Sequence, residues 1–308
     1  MPYVAVWAGT DDERRQAADR RWRALAESRP DLGPAVELQR RLLEIVTDLA
    51  ARLDGERMPR LSLPPRYLAA KLARRMPVLA NEPIPLPVPI LSAALPRLCD
   101  ALEAGGAGEA AMHVRSAVTG GDIDAGSLLA ASLARNQAAI RTGATHRGLA
   151  PDLVWLVAEL AVGPFVHALQ RLLFAEALDP TLRAALATWS RGYCPACGSW
   201  PALAEVADGH RTLRCSFCAS AWELPTYACI YCEEAAEPFV TAAPVPERKD
   251  RRIEVCAACH GYLKTIDVPV LSPFPLLSIS DIETTDLDLA AMEHGYQRPP
   301  LKSFALPR

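Results

Sequence analysis

Eight of the nine cysteines in this 308-residue chain form four Cys-x-x-Cys pairs in its last third. The pairs are Cys194 with Cys197, Cys215 with Cys218, Cys229 with Cys232, and Cys256 with Cys259. Two cysteine sulfurs with two residues between them can point from one tight turn toward a common centre. Two such turns complete a tetrahedron in which each sulfur lies about 2.3 Å from a zinc ion. The spacing therefore predicts two mononuclear metal ions, each bound by four thiolates.

The loops between the pairs indicate how the eight cysteines are divided. Seventeen residues separate the first two pairs, which fits the known metal-binding template, while the twenty-three residues between the last two pairs exceed it slightly. The simplest grouping is sequential, with the first four cysteines on one ion and the last four on the other. A cross-braced grouping, in which the first pair joins the third and the second joins the fourth, remains open. Gly198 follows the first pair and indicates a turn with positive φ, whose amides point at sulfur.

The predicted sites are closed, which limits their chemistry. Four thiolates leave no position for water, so the sites are expected to be structural or electron-transfer sites rather than hydrolytic ones. Thiolate tetrahedra accept zinc or iron, and spacing does not choose between them. Cys256-Ala-Ala-Cys259-His260 also matches a c-type haem motif, but haem attachment would leave Cys229 and Cys232 without a role. The sequence shows no Ser/His/Asp, paired-carboxylate or phosphate-loop arrangement, so we predict that the protein is not an enzyme.

Charge and hydropathy argue against two classes of partner. The net charge is −3, and residues 190–265 contain eight Lys or Arg against nine Asp or Glu, so no basic surface for nucleic acid is expected. The longest apolar run, Leu153 to Leu169, contains Glu159 and Gly163-Pro164, which predicts a buried helix and no membrane insertion. The N-terminus lacks the features of a secretory signal, so we predict a cytoplasmic location, where Cys-x-x-Cys pairs indicate metal or redox chemistry. Weak homo-oligomer formation is left open.

Residues 11 to about 189 have a helical pattern. Apolar residues recur at helical spacing from Leu32 to Leu53, and Gly55 is a predicted stop. Another helix is expected between Pro65 and Pro77. An extended segment is expected where proline occupies every second position from Pro83 to Pro89. Further predicted helices cover residues 91–104, 109–118, 127–142, 152–178 and 180–190, and the lone Cys99 is expected to be buried on the first of them.

The pattern changes at residue 190. Short β-type runs at 203–206, 212–214, 222–224 and 253–255 lie between the cysteine turns, and a helix is predicted near Asp286 to Met292. These observations predict an α+β chain with four parts. They are an α-helical domain over 1–189, a first four-cysteine module over 190–226, a second four-cysteine module over 227–268, and a C-terminal helix and tail over 269–308.

The cysteine motifs also resemble a known family. Cys194-Pro-Ala-Cys-Gly-Ser-Trp-Pro201, Leu213-Arg-Cys-Ser-Phe-Cys218, Cys229-Ile-Tyr-Cys-Glu233 and Cys256-Ala-Ala-Cys-His-Gly-Tyr-Leu-Lys-Thr-Ile266 are similar to the formate dehydrogenase accessory protein family, FdhE. The specificity of the resemblance lies in residues 191–296. His260 departs from the family pattern, which more often has glycine at this position.

The resemblance implies a fold, a metal and a role. It implies a helical N-terminal domain followed by two rubredoxin-like modules, which are zinc-ribbon-like in their knuckle, hairpin and knuckle order. It also implies a cytoplasmic maturation factor that binds the catalytic subunit of a respiratory formate dehydrogenase before export. Carried over to this sequence, the eight paired cysteines are the functional positions, with iron as the implied metal and zinc as the alternative. A rubredoxin-type electron carrier is the alternative function.

Overall fold

The computed structural model describes residues 3–4, 6, 9–54, 63–174, 179–242, 250–302 and 304. Helices and strands are both present, and the predicted α+β class is confirmed. In the described residues the helices are α1 Asp11–Ser28, α2 Gly33–Asp54, α3 Pro65–Ala73, α4 Val88–Ser92, α5 Ala94–Leu102, α6 Gly108–Gly120, α7 Ala125–Leu133, α8 Gln137–His146, α9 Pro151–Phe174, α10 Pro180–Ala187, α11 Leu277–Glu283 and α12 Thr285–Glu293. The strands are β1 Tyr3–Val4, β2 Pro201–Ala207, β3 His210–Cys215, β4 Ala221–Trp222, β5 Phe239–Ala242, β6 Arg251–Cys256 and β7 Gly261–Asp267.

The chain packs as two compact units. One, here named the cysteine unit, contains the described residues of 1–14, 63–80 and 173–304. The other, the helical unit, contains the described residues of 15–62 and 81–172. The predicted boundaries after residues 189, 226 and 268 stay predictions. Packing nevertheless places two segments of the sequence's helical half, 63–80 and 173–189, with the cysteines.

The core of the helical unit includes one long amphipathic helix. On α2 the buried apolar side chains recur at the spacing read from the sequence, and Cys99 on the neighbouring α5 is 1% exposed, as predicted. The buried residues of α2 are Val36, Leu42, Leu43, Ile45, Val46, Leu49 and Leu53. The predicted stop at Gly55 lies outside the described residues.

One predicted helix and the predicted extended segment were wrong in detail. The single helix expected over 127–142 is two helices, because Arg135 adopts a φ of 56°, which a right-handed helix cannot accommodate. The side chain of Asn136 then accepts a hydrogen bond from the Ala139 amide and caps α8. The extended proline-rich segment ends at Pro87, since α4 begins at Val88 with Pro89 in its first turn, where proline is tolerated.

The apolar run in the middle of the sequence is α9. This helix contains Pro164, and by length and composition it is apolar enough to cross a membrane. Within the protein most of its apolar stretch is buried, as in the core helix of a soluble protein. It is therefore weak evidence for a membrane span. Its predicted end at Leu178 lies outside the described residues.

A mixed sheet forms the framework of the cysteine unit. In the described part of the chain it has seven strands in the order β1-β4-β3-β2-β7-β6-β5. Neighbouring strands are antiparallel except for β2 and β7, which pair in parallel between Ala204–Val206 and Thr265–Asp267. The sequence did not predict β1, β5 or β7. Because β2 follows the first cysteine pair and β7 follows the fourth, both predicted modules contribute to one sheet.

Two C-terminal helices pack on this sheet. Leu277 of α11, a helix that the sequence did not predict, joins Leu203 and Ile266 in one apolar cluster. Leu287 of α12, which confirms the helix predicted near Asp286, joins Ile253 in another. The helices therefore cover sheet positions from both cysteine modules.

Candidate metal centres

Each Cys-x-x-Cys pair lies on a turn that ends in the same backbone conformation. The residue after the second cysteine has positive φ in all four turns: 82° at Gly198, 54° at Ala219, 68° at Glu233 and 54° at His260. In the first three turns its amide donates to the carbonyl of the first cysteine, at 2.9, 3.2 and 2.9 Å. The positive φ predicted at Gly198 is therefore observed. At the three non-glycine positions this conformation costs about 1–2 kcal/mol each, so the surrounding structure must hold the turns in place.

The first four cysteines converge on one centre. The Sγ atoms of Cys194 and Cys218 are 3.7 Å apart, and Cys197 Sγ lies 3.5 Å from Cys215 Sγ and 3.7 Å from Cys218 Sγ. A tetrahedron with metal–sulfur bonds of about 2.3 Å has edges of about 3.8 Å, whereas a disulfide bond is about 2.05 Å. The spacing is that of ligands around an ion.

The last four cysteines form the second group. Cys229 Sγ is 3.6 Å from Cys259 Sγ, and Cys232 Sγ is 3.6 Å from Cys256 Sγ. In each group all four sulfurs lie within 4.8 Å of one another. The structure thus groups the cysteines sequentially, and the cross-braced alternative does not occur.

The chemistry of the donors fits a cation. The first group is almost fully enclosed, with 0–4% exposure at each cysteine, and burial raises the pKa of the Cys194 and Cys218 thiols well above the usual value. Amides of Phe217 and Cys218 point at Cys215 Sγ at 3.4 Å. Sulfurs this close and this buried can be thiolates only if a positive ion offsets their charge. Each group can therefore hold a metal ion.

The second group differs from the first in its access to solvent. Cys229 and Cys256 are buried, but Cys232 is exposed and Cys259 is half-buried. Burial raises the pKa of Cys259 to about 11. At Cys256 burial acts to raise the pKa, but backbone hydrogen bonds from Cys259 and Ala258, together with side-chain hydrogen bonds to Cys232 and Cys229, lower it overall. The two groups therefore have the same donor atoms, but the protein shields the second group less well from solvent.

A segment from the sequence's helical half closes the first centre. Just after α3, the Val78 amide donates to Pro195 O at 2.9 Å and the Leu79 amide donates to Ala196 O at 3.0 Å. The Tyr193 hydroxyl donates to Arg75 O at 2.7 Å. The sequence did not predict this contact, since the short apolar run at 78–80 carries no helical or strand period. The two residues between Cys194 and Cys197 are thus held by backbone more than one hundred residues away in sequence.

The two centres are packed against each other. A Cβ on Gly192 would lie 2.0 Å from the carbonyl oxygen of Ile230, so the approach to the first turn rests directly on the third turn. Arg191 forms an ion pair with Glu233 across the same contact. The rings of Trp200 and Tyr231 meet edge to face with centroids 5.0 Å apart. The Trp200–Tyr231 contact therefore packs the first module against the second.

We expect the two centres to release metal at different rates. A chelator reaches the exposed Cys232 directly, whereas the enclosed first centre must open by local unfolding, so release from the second should be at least about ten-fold faster. Release into a chromophoric chelator should show two phases, each of one metal equivalent per chain. The variant Cys232→Ser should lose only the fast phase. A single phase in the wild type, or loss of the slow phase in the variant, would contradict the assignment.

Comparison with known proteins gives sequence relatives for part of the chain. No protein-family model matches it. The FdhE homolog of Aquifex aeolicus is 31% identical over 113 residues, which is 35% of this chain and 40% of the relative. The FdhE homolog of Pseudomonas aeruginosa is 32% identical over 124 residues, or 37% and 40%. FdhE of Escherichia coli is 28% identical over 150 residues, or 47% and 48%. The chain thus spans about two-fifths to one-half of the length of these relatives.

Comparison with solved structures covers the whole chain. The crystal structure of the FdhE protein from Pseudomonas aeruginosa matches with a TM-score of 0.58 and 23% identity, covering 100% of this chain and 99% of that chain. This match shows a shared fold. The chain is thus similar to FdhE proteins over part of its sequence, and it shares the fold of one of them over its whole length.

Proposed function

We propose that this protein is a non-enzymatic accessory factor for the maturation of a respiratory formate dehydrogenase. We also propose that its eight paired cysteines bind two mononuclear metal ions. The observation that carries the proposal is the pair of four-sulfur groups with edges near those of a metal tetrahedron. Similarity to FdhE proteins supports the accessory role.

The site geometry favours a structural or docking role over catalysis. Four sulfurs complete a tetrahedron and leave no open position for a substrate or water. When bound, each ion would supply charge compensation and a fixed turn geometry. The cysteines themselves would hold the knuckle residues, including Glu233 and His260, at a defined exposed surface. Iron is the metal that the resemblance favours, and zinc is the alternative.

The proposed partner is the catalytic subunit of formate dehydrogenase, bound in the cytoplasm before export. A reducing compartment keeps the thiols available for metal, which supports this location. The net charge of −3 gives no general attraction to nucleic acid. The burial of α9 argues against membrane insertion, and self-association is a separate question for the purified protein.

A pull-down with the immature catalytic subunit tests the docking role. The Cys229→Ala/Cys232→Ala variant should capture much less subunit than the wild type. The second centre, which is the more exposed one, loses two ligands and the turn that carries them. Cys99→Ala is the matched control, since Cys99 is buried on α5 of the helical unit and outside both groups. Full binding and full formate dehydrogenase activity with the double variant would refute the site assignment.

Elemental analysis and spectroscopy of protein purified without air test the electron-carrier alternative. An electron carrier requires iron in both sites, reversible reduction and the visible absorption of ferric thiolate. A colourless zinc protein that still supports formate dehydrogenase maturation would exclude that alternative and retain the accessory role. The comparisons with FdhE proteins do not favour the electron carrier.

A further inference from the structure

The segment after α12 runs across both candidate metal centres. We name residues 295–302 and 304 the C-terminal strap. At its start, the Gln297 amide donates to the carbonyl of His260 at 2.8 Å, and Gln297 forms a parallel bridge with Gly261. His260 directly follows the ligand position Cys259 and holds the positive φ of the fourth turn. The strap therefore binds a carbonyl whose direction depends on that turn.

The other end of the strap lies on the first centre. Trp200, three residues after Cys197, donates its indole N–H to Pro300 O at 2.9 Å. The Tyr193 ring, which precedes Cys194, has Lys302 Nζ at 4.9 Å and the Phe304 ring at 5.0 Å from its centroid. These contacts place a cation and an aromatic ring on the residue just before the first turn.

Gly198 makes the fit at this end specific. A Cβ on Gly198 would lie 2.4 Å from Phe304 Cε2, so the phenylalanine ring occupies the space beside the turn. Gly198 is also the residue whose positive φ closes the turn between Cys194 and Cys197. Phe304 thus contacts the backbone position that must be correctly set for the first centre to form.

The middle of the strap is held independently of the cysteines. Arg298 donates to Asp288 at 2.9 Å and lies 3.4 Å from Asp281, and both carboxylates belong to the C-terminal helices. Its guanidinium also lies 5.6 Å from the Tyr262 ring centroid. Arg298 can therefore tether the strap to α11 and α12 while the segments on either side gain or lose their contacts with the turns.

We propose that the C-terminal strap docks fully only when both centres hold metal, so that its docking reports double loading. This inference rests on the proposed metal binding. Small four-cysteine modules lose much of their folding free energy without metal. The His260 carbonyl and the Tyr193–Trp200 surface would then shift, and both ends of the strap would lose their acceptors.

The proposed coupling has a reciprocal consequence. If metal binding stabilises the docked strap, docking of the strap must strengthen metal binding by the same free energy. An unloaded protein with a released strap would also expose the ring of Tyr193, which is 4% exposed with the strap docked, and more of the half-buried Trp200. The two loading states would therefore present different surfaces to a client protein.

Hydrogen exchange of the full-length protein, followed by mass spectrometry, tests the inference. Peptides covering residues 295–302 should exchange at least about ten-fold faster after metal is removed by a chelator, because the Gln297 bond opens locally. Metal content is measured on the same samples. Unchanged strap exchange after verified metal loss overturns the strap inference and leaves the metal sites standing. A protein that binds no metal, yet keeps the strap protected, overturns both proposals.

A second measurement uses the reciprocal effect. Phe304→Ala should raise the apparent Kd for metal, in equilibrium competition with a chelator, by about five-fold or more. Val270→Ala is the matched control, because Val270 is an apolar residue of the same unit that is 70% exposed. Equal metal affinity in the two variants overturns the coupling, and weaker binding only in Phe304→Ala supports it.

Discussion

Replacing Cys218 with alanine should abolish the first centre and strongly destabilise the cysteine unit. Cys218 is 0% exposed, and its sulfur lies 3.7 Å from those of Cys194 and Cys197. Removing it leaves three crowded sulfurs with an incomplete coordination sphere. Structural zinc sites contribute about 10–16 kcal/mol of apparent folding free energy, so a loss on the order of 5 kcal/mol or more is expected. Urea unfolding of the metal-loaded proteins measures this loss.

Cys99→Ala is the control for this substitution. Cys99 is equally buried, at 1% exposure, but it packs among apolar residues of α5, so its replacement should lower the free energy of unfolding by only about 1 kcal/mol. Elemental analysis should find one metal ion per chain in Cys218→Ala and two in Cys99→Ala. Two ions in both variants, with equal urea midpoints, would show that Cys218 is not a ligand.

Replacing Arg214 with methionine should have the second largest effect. Arg214 and Glu205 form an ion pair on β3 and β2, with both side chains 0% exposed. Arg214 Nη2 also donates to Ser272 O at 2.6 Å, while the Ser272 amide donates to Glu205 Oε2 at 3.0 Å. Without Arg214 the Glu205 carboxylate would be buried and uncompensated. We expect the free energy of unfolding to fall by about 3–5 kcal/mol in urea titration.

The same sheet offers a matched ion pair near the surface. Arg252 and Asp267 lie on β6 and β7, with side chains 27% and 45% exposed, so Arg252→Met should cost about 0–1 kcal/mol. The double variant Glu205→Leu/Arg214→Met should recover most of the stability, because neither charge remains buried. An Arg214→Met variant that is no less stable than Arg252→Met would show that the buried pair contributes little.

The cysteine positions were the most predictable part of the molecule. A Cys-x-x-Cys turn is a local structure, and the loop lengths already favoured the sequential grouping that the structure has. The positive φ at Gly198 was also predictable, since glycine permits it. The same conformation occurs at three residues that are not glycine, Ala219, Glu233 and His260. The only indication of it in the sequence is their position directly after a cysteine.

Long-range contacts were not predictable from the sequence. Nothing in residues 78–79 indicates that their amides bind the first knuckle, because backbone hydrogen bonding leaves no residue-type signature. Arg214 lies in a strand that the sequence did predict, but a charged residue in a short strand gives no sign of complete burial. Strand β7 was not predicted because it contains Lys264, a charged residue that is buried in the structure but that is typical of an exposed segment.

The parallel pairing of β2 with β7 has a consequence for attempts to separate the two modules. Cutting the chain between them would leave Ala204–Val206 and Thr265–Asp267 as unsatisfied sheet borders, each with free amides and carbonyls. Exposed strand edges of this kind form hydrogen bonds with strands of other chains, so we expect the isolated halves to aggregate. The duplicated knuckles are therefore best regarded as a single indivisible building block.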